Sequence, residues 1–311
     1  MYSREQCKIC DSDSNEVICN EIRGGIPCNV LKCLNCGLVF LPSSFLDQEK
    51  NETHYKEEYE YSPSLDVLQG TEYDPYWRRM KRIAKFLDPN KTTLFEIGSG
   101  SGRFIKEVKP HVKEIVGLEL NEKQAEFCRN QHNVQIYNMP VEDVRLEEKF
   151  DIVCMFQVLE HVADPGAMLK KAMSFVKPNG LLYIDIPNLM DPILSLYMIP
   201  GYDKFYYRKS HLFNFNQFNL ELLLKKCRFE NFSVELEQNY SLSNHMYWAI
   251  TGAPQSNLDV GYRFNFPVDI QGTEMLRGEL QRLFDKIDRE YREILSKYGY
   301  SDMISCIIHN K

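Results

Sequence analysis

The segment Leu94-Phe-Glu96-Ile-Gly98-Ser-Gly100-Ser-Gly102-Arg103 constrains this chain more than any other. A short apolar run stops at three glycines in alternate positions, and Phe104-Ile-Lys-Glu-Val108 follows with the spacing of a helix. Strand, glycine turn and helix form the arrangement through which a nucleotide approaches the backbone, because glycine has no Cβ to block it. A second apolar run, Ile115-Val-Gly-Leu118, ends on Glu119, 23 residues beyond Glu96. A carboxylate about that far on, at the tip of the next strand, is placed to accept hydrogen bonds from ribose hydroxyls. The third glycine decides which nucleotide is involved. A dinucleotide fingerprint starting at Gly98 would need glycine where Arg103 stands.

The pattern that does occur, E-x-G-x-G-x-G from Glu96 to Gly102, resembles motif I of the class I S-adenosylmethionine-dependent methyltransferases. The resemblance implies an α/β fold, a seven-stranded Rossmann-like sheet with helices on both faces. It also implies that the glycine turn runs past the amino-acid end of the cofactor, with Glu119 and the adjoining Leu120 on the ribose side. Short apolar runs alternating with amphipathic helices fit a parallel sheet covered on both sides. Strands are expected at 94–97, 115–119, 134–137, 150–156, 181–186 and 232–237, with a closing strand at 304–308. Helices are expected at 103–108, 122–132, 165–176 and 217–227. The match covers roughly residues 91–238 plus the last strand.

Further positions follow the family's pattern. Asn138-Met139-Pro140-Val141-Glu142-Asp143 falls where the family has its adenine loop, so Met139 or Val141 would flank the ring and Glu142 could meet its amino group. Favourable charge at a helix N-terminus serves Glu142 and Asp143 equally well. Phe156 and Gln157 end the fourth strand as candidates for cofactor contact, and Glu160-His161 follows. In related small-molecule enzymes a histidine near His211 faces the acceptor, so His211 is the first choice of general base and His161 the second. Either histidine could instead be held by backbone hydrogen bonds. The aromatic segment 189–214 lies beyond the carboxyl ends of the strands, where open α/β sheets bind ligands. Its Tyr206, Tyr207 and Arg208 could shape or charge-balance an acceptor bearing phosphate or carboxylate.

Cys7-Lys-Ile-Cys10 and Cys33-Leu-Asn-Cys36 are two C-x-x-C knuckles with 22 residues between them. Such a set supplies four thiolates for a structural, tetrahedral Zn²⁺, and so small a lobe is expected to depend on the metal to fold. The domain plan is therefore a zinc-binding lobe at 1–45, a connector with lid helices at 46–90, and the methyltransferase domain at 91–311 with a helical insertion around 240–300. The connector, Asp47 to Tyr61, is acidic and rich in tyrosines that could close over the cofactor. Residues 76–87 read as a helix whose Arg78, Arg79, Lys81, Arg82 and Lys85 form a solvated face. Residues 273–298 read as one long helix with an apolar stripe at Leu276, Leu280, Leu283, Ile287, Tyr291 and Ile294, expected to pack within the monomer.

The chain of 311 residues carries a formal net charge of −7, which counts against a large phosphate-binding surface and so against a nucleic-acid partner. No apolar run approaches the ~20 residues of a membrane span, and the first residues lack the apolar centre of a signal peptide. Ten cysteines, four of them in metal-ligand spacing, suit a reducing compartment, so a cytoplasmic location is expected. The expected function is methyl transfer to a small molecule. The four-cysteine lobe joined to this core resembles C-methyltransferases of nucleotide-linked deoxysugars, which implies a nucleotide-linked or other sugar as acceptor. The alternatives are an RNA methyltransferase using the zinc lobe as reader and a non-catalytic interaction protein built on the cofactor fold.

Overall fold

The computed structural model describes residues 2–3, 5–45, 69, 71–255, 261–264 and 271–311. The tyrosine-rich connector lies outside the described residues. Twelve strands form two sheets among the described residues. The larger sheet contains β5 (Thr93–Ile97), β6 (Glu114–Leu118), β7 (Gln135–Tyr137), β8 (Phe150–Phe156), β9 (Val176–Pro187), β11 (Phe232–Glu237) and β12 (Met303–His309), in the spatial order β11-β12-β9-β8-β5-β6-β7. β7, β6, β5, β8 and β9 are parallel, whereas β12 runs antiparallel to both β9 and β11. The seven-stranded α/β expectation therefore holds, with the last strand of the chain inserted between β9 and β11. β5 reads as a continuous apolar strand because it is covered on both faces, Leu94 and Phe95 being fully buried.

The helices start where their caps predict. Asp74 Oδ1 accepts from Tyr76 N at 2.9 Å, and Pro75 opens α1 (Pro75–Ile83). Gly102 precedes α2 (Arg103–Val108), and Asn121 caps α3 (Glu122–His132). Asp164 and Pro165 begin α4 (Pro165–Ser174). α5 (Tyr202–Tyr206) is a single turn. Asn216 and Asn219 form a reciprocal capping box on α6 (Gln217–Lys226). The insertion contributes α7 (Leu242–Thr251) and α8 (Glu274–Lys297).

Two expectations about helix faces are corrected. The basic face expected at 76–87 is solvated at Lys81 and Lys85 but not at its three arginines. Arg79 is 8% exposed and its Nε lies 2.7 Å from Asp185 Oδ2, while Arg78 and Arg82 clasp Glu237 at 3.2 and 2.8 Å. α8 does not bury its apolar stripe, since Leu276, Leu283, Ile287 and Ile294 are all exposed. Apart from Leu295 and the stack of Phe284 on Phe264, the docked face is polar. Asp288 accepts from Leu242 N at the start of α7 and pairs with Arg292 at 2.6 Å, and Arg292 donates to the carbonyls of Asn239 and Tyr262. A carboxylate at a helix N-terminus is favourable, and these bonds fix the rotation of α8 against its own hydrophobic pattern.

The smaller sheet joins β1 (Tyr2–Ser3), β2 (Asn15–Ile22), β3 (Ile26–Cys33) and β4 (Val39–Phe40) to β10 (Phe213–Asn214) from the body of the protein. β10 pairs antiparallel with β4, and Leu41 N donates to Leu212 O at 2.9 Å. Leu31, Leu38, Phe40 and Leu41 share one buried cluster with Leu212, Phe213 and Phe215. The N-terminal lobe thus packs as part of the body.

Candidate active site

β5 lies between β6 and β8, where the order of parallel strands reverses, and open α/β sheets bind ligands at such a point. The glycine turn sits there. Gly98 N and Ser99 N both donate to Leu118 O, at 2.8 and 3.0 Å, fastening the turn to β6. Gly98 has φ +77°, and a Cβ on it would lie 2.5 Å from Val158 Cγ2. Gly100, at φ +52°, donates its N–H to Glu119 Oε2 at 2.7 Å, and Asn121 N donates to Oε1 at 2.8 Å. Each carboxylate oxygen has a second lone pair, so Glu119 keeps acceptor capacity for a ribose diol while bracing the turn. Burial raises its carboxyl pKa against the lowering effect of these N–H groups. Gly102 is different. A Cβ there would lie 2.6 Å from His132 Cδ2, so this glycine allows α2 to approach α3.

Glu96 is 3% exposed, and its Oε2 has no hydrogen-bond partner among the described residues. Burial raises its carboxyl pKa well above the ordinary range, with Arg79 opposing and Glu119 reinforcing the shift. A buried carboxylate oxygen with no partner, two residues before the turn, fits a ligand that brings an ammonium group. S-adenosylmethionine carries one.

Across the turn, Asn138 Nδ2 donates to the carbonyls of Glu119 and Leu120 at 2.8 and 2.9 Å and ties the 138–143 loop to the acidic strand end. Leu120 and Met139 are half-buried and accessible, Glu142 is exposed, and Val141 is 5% exposed within the core. The Phe156 side chain is also core. Phe104 and Tyr183 pack edge-on against it at 4.8 and 4.9 Å, and the Arg79 guanidinium lies 4.6 Å over its ring. Gln157 turns out of β8 with φ +55°, its N–H bonded to Asp185 O at 2.8 Å.

Gln157 also lines a cavity of about 180 Å³ that includes no residue of the glycine turn. Asp191, Tyr206, Arg208 and His211 form one wall from the aromatic segment, Asn244 and Trp248 of α7 another, and Met303 the base of β12. Arg23 comes from the tip of the β2–β3 hairpin. Its Nε donates to Phe205 O at 2.6 Å and its guanidinium stacks 3.6 Å over the Phe205 ring. Burial and then the nearby Arg208 lower its pKa to about 10. A larger hollow of about 400 Å³ against α2, lined by Tyr76, Ser101, Arg103 and His132, does not include Glu119, Gln157 or His211.

His211 is 8% exposed, and burial, followed by the charges of His161, Arg208 and Arg23, holds its pKa well below the ordinary value. It is therefore a neutral imidazole. His161 meets it edge-on at 4.9 Å and places Nδ1 2.6 Å from Ser210 O. Glu160, beside them, is 1% exposed, and burial raises its carboxyl pKa to about 8. The sequence reading had singled out both histidines. It missed Arg23 and the α7 wall, which lie far away in the chain, and Glu160, whose burial no local pattern announces.

At the four-cysteine cluster, Cys7 Sγ lies 3.5 Å from Cys36 Sγ and Cys10 Sγ 3.4 Å from Cys33 Sγ. The four sulfurs all lie within 4.8 Å of one another and none is in a disulfide. Four converging thiols suit a tetrahedral Zn²⁺. Among the described residues no helix is long and apolar enough to cross a membrane.

The family profile described as a methyltransferase domain matches residues 72–234. The ubiquinone biosynthesis O-methyltransferase of Coxiella burnetii (strain Dugway 5J108-111) is 25% identical over 116 residues, which are 35% of this chain and 50% of the relative. The enzyme of the same name from Acinetobacter baumannii (strain ACICU) is also 25% identical over 116 residues, 48% of its length. The chain thus spans about half the length of the curated relatives it matches. Among solved structures, the plantazolicin methyltransferase BamL in complex with a triazolic desmethylPZN analog and SAH aligns with a TM-score of 0.50 at 14% identity. That alignment covers 86% of this chain and 99% of BamL, and it supports the fold alone.

Proposed function

This chain belongs to the methyltransferase-domain family, and from that premise we propose that it transfers a methyl group from S-adenosylmethionine to a small polar acceptor, a sugar and in particular a nucleotide-linked one. When bound, the cofactor supplies an electrophilic methyl carbon on a sulfonium. Glu96, the backbone at Gly98 and Gly100, Glu119, Leu120 and Met139 would hold it. Gln157 would stand at the border with the acceptor. The observation that carries this reading is the cavity that shares Gln157 with the cofactor side and is lined by polar, aromatic and cationic side chains. Hydroxyl groups suit its tyrosine, asparagine and histidine walls, and the guanidinium groups of Arg23 and Arg208 suit a phosphate-bearing end. In-line displacement gains most from holding the nucleophile aligned and close, which is the role assigned to this lining. A proton acceptor is required only where the nucleophile arrives protonated, and the neutral His211, with His161 behind it, offers a lone pair at the cavity wall.

Cys7, Cys10, Cys33 and Cys36 would bind a structural Zn²⁺ and so hold the base of the hairpin that carries Arg23. Titration calorimetry with S-adenosylmethionine and its demethylated product, followed by labelled methyl transfer to a panel of nucleotide sugars, tests the proposal. Absence of cofactor binding would overturn it. Cofactor binding without transfer to any acceptor would favour a scaffold protein, and RNA binding that falls steeply with salt would favour an RNA acceptor.

A further inference from the structure

Glu160 has both carboxylate oxygens buried and without a hydrogen-bond partner among the described residues. An unpaired buried carboxylate is costly, so its surroundings should contain what it binds. They contain two imidazoles. His161 Nδ1 is 2.6 Å from the Ser210 carbonyl, which can only accept, so Nδ1 carries the ring proton. Nε2 of the same ring stands 3.7 Å from Glu160 Oε1. That is too long for a hydrogen bond and close to the separation of neighbouring ligand atoms around a metal ion, about 3 Å for bonds of about 2.1 Å. His211 contributes a third donor, and one ligand atom from each residue lies within 4.8 Å of the others.

We propose that Glu160, His161 and His211 bind a divalent cation, distinct from the four-cysteine site, with open coordination positions facing the acceptor cavity. Two imidazoles and one carboxylate form a donor set that suits Mn²⁺, Fe²⁺, Co²⁺ or Zn²⁺. Metal-bound histidines usually donate their other ring N–H to a carbonyl or carboxylate, and Ser210 O fills that role for His161. His211 lines the cavity, so a cation held there can take an oxygen of the acceptor into its open positions. This last step rests on the methyl-transfer reading and assigns the acceptor an oxygen donor next to the reacting atom. It also makes His211 a metal ligand in place of a general base.

The test uses the full chain with Mn²⁺, which thiolate sites bind poorly, followed by electron paramagnetic resonance. One Mn²⁺ per chain is expected to bind, with affinity reduced about 10-fold or more in Glu160→Gln and in His211→Asn. Cofactor titration of the same samples, expected to be unchanged, shows that the variants are folded. Absence of Mn²⁺ and Co²⁺ binding, or variants that bind as tightly as the parent, would overturn the proposal. If cofactor binding fails while Mn²⁺ binds, only the methyl-transfer reading fails. If Mn²⁺ fails while cofactor binds, only the cation site fails.

Discussion

Glu119 both braces the glycine turn and keeps acceptor capacity for the ribose, so its removal should act on both. Glu119→Ala leaves the N–H groups of Gly100 and Asn121 without their partner, at a cost of about 1–3 kcal/mol. Cofactor affinity is expected to fall roughly 10- to 100-fold by calorimetry, and an unchanged affinity would remove Glu119 from the site. The sequence made Gly98, Gly100 and Gly102 look equivalent, because alternate glycines carry no mark of what each one faces. The structure separates them. All three have positive φ, but Gly98 makes room for Val158, Gly100 is crowded only by Gln124, and Gly102 makes room for Cys128 and His132 of α3. Phe156 meets the same limit. A strand end is legible from apolar periodicity, but whether its last ring faces a ligand or a second aromatic layer depends on residues far away in the chain.

Among the elements, α1 meets the β11–β12 edge through charges that no local pattern reveals. Burial alone would raise the Glu237 carboxyl pKa, yet Arg78 and Arg82 hold it below the ordinary range. A carboxyl whose folded pKa lies below its unfolded value adds stability that is full above the unfolded value, about 4.3. That stability is lost as the pH falls through the folded value. Glu237→Gln is therefore expected to lose on the order of 2–4 kcal/mol at pH 7, since a partly buried ion-pair cluster would lose its acid. The deficit should shrink toward zero as acid titrates the parent, as urea unfolding at pH 7 and pH 3.5 would reveal. A deficit independent of pH would mean that packing, not charge, dominates. Periodicity gave the seven strands of the larger sheet and the helices α2, α3, α4 and α6, most to within a few residues, because their apolar faces are local features of the chain, but it gave neither α5, α7 nor β10. It failed for the rotation of α8, where Asp288 and Arg292 outweigh four exposed apolar side chains.

At the scale of the whole molecule, one hairpin links the four-cysteine lobe to the cavity around His211. The β2–β3 hairpin runs from the four-cysteine cluster at its base to Arg23 at its tip. Cys33→Ser is expected to remove one equivalent of zinc per chain and to raise the acceptor KM about 10-fold or more while leaving cofactor affinity unchanged. Arg23→Ala should reproduce the KM effect with zinc retained, consistent with the loss of a charge-assisted contact of about 1.5–3 kcal/mol. Metal analysis paired with steady-state kinetics checks both variants, and a Cys33→Ser protein with parental KM would uncouple the lobe from the cavity. The cysteine spacing made the four-cysteine cluster legible in the sequence, but nothing in the sequence joined it to the cavity.

The two-residue strand Phe213–Asn214 follows His211 almost directly and closes the edge of the N-terminal sheet. One loop therefore presents the imidazole to the cavity and knits the lobe to the body. The residues before position 45 share one buried cluster with the body of the protein. Cutting there would strip the cover from Leu212, Phe213 and Phe215, each at most 1% exposed, and leave a sticky apolar scar beside the His211 loop. Swapping this lobe between relatives, as one swaps a tag or a reader module, would mean redesigning that loop as well. In inheritance and in engineering, the lobe and the His211 loop should change together.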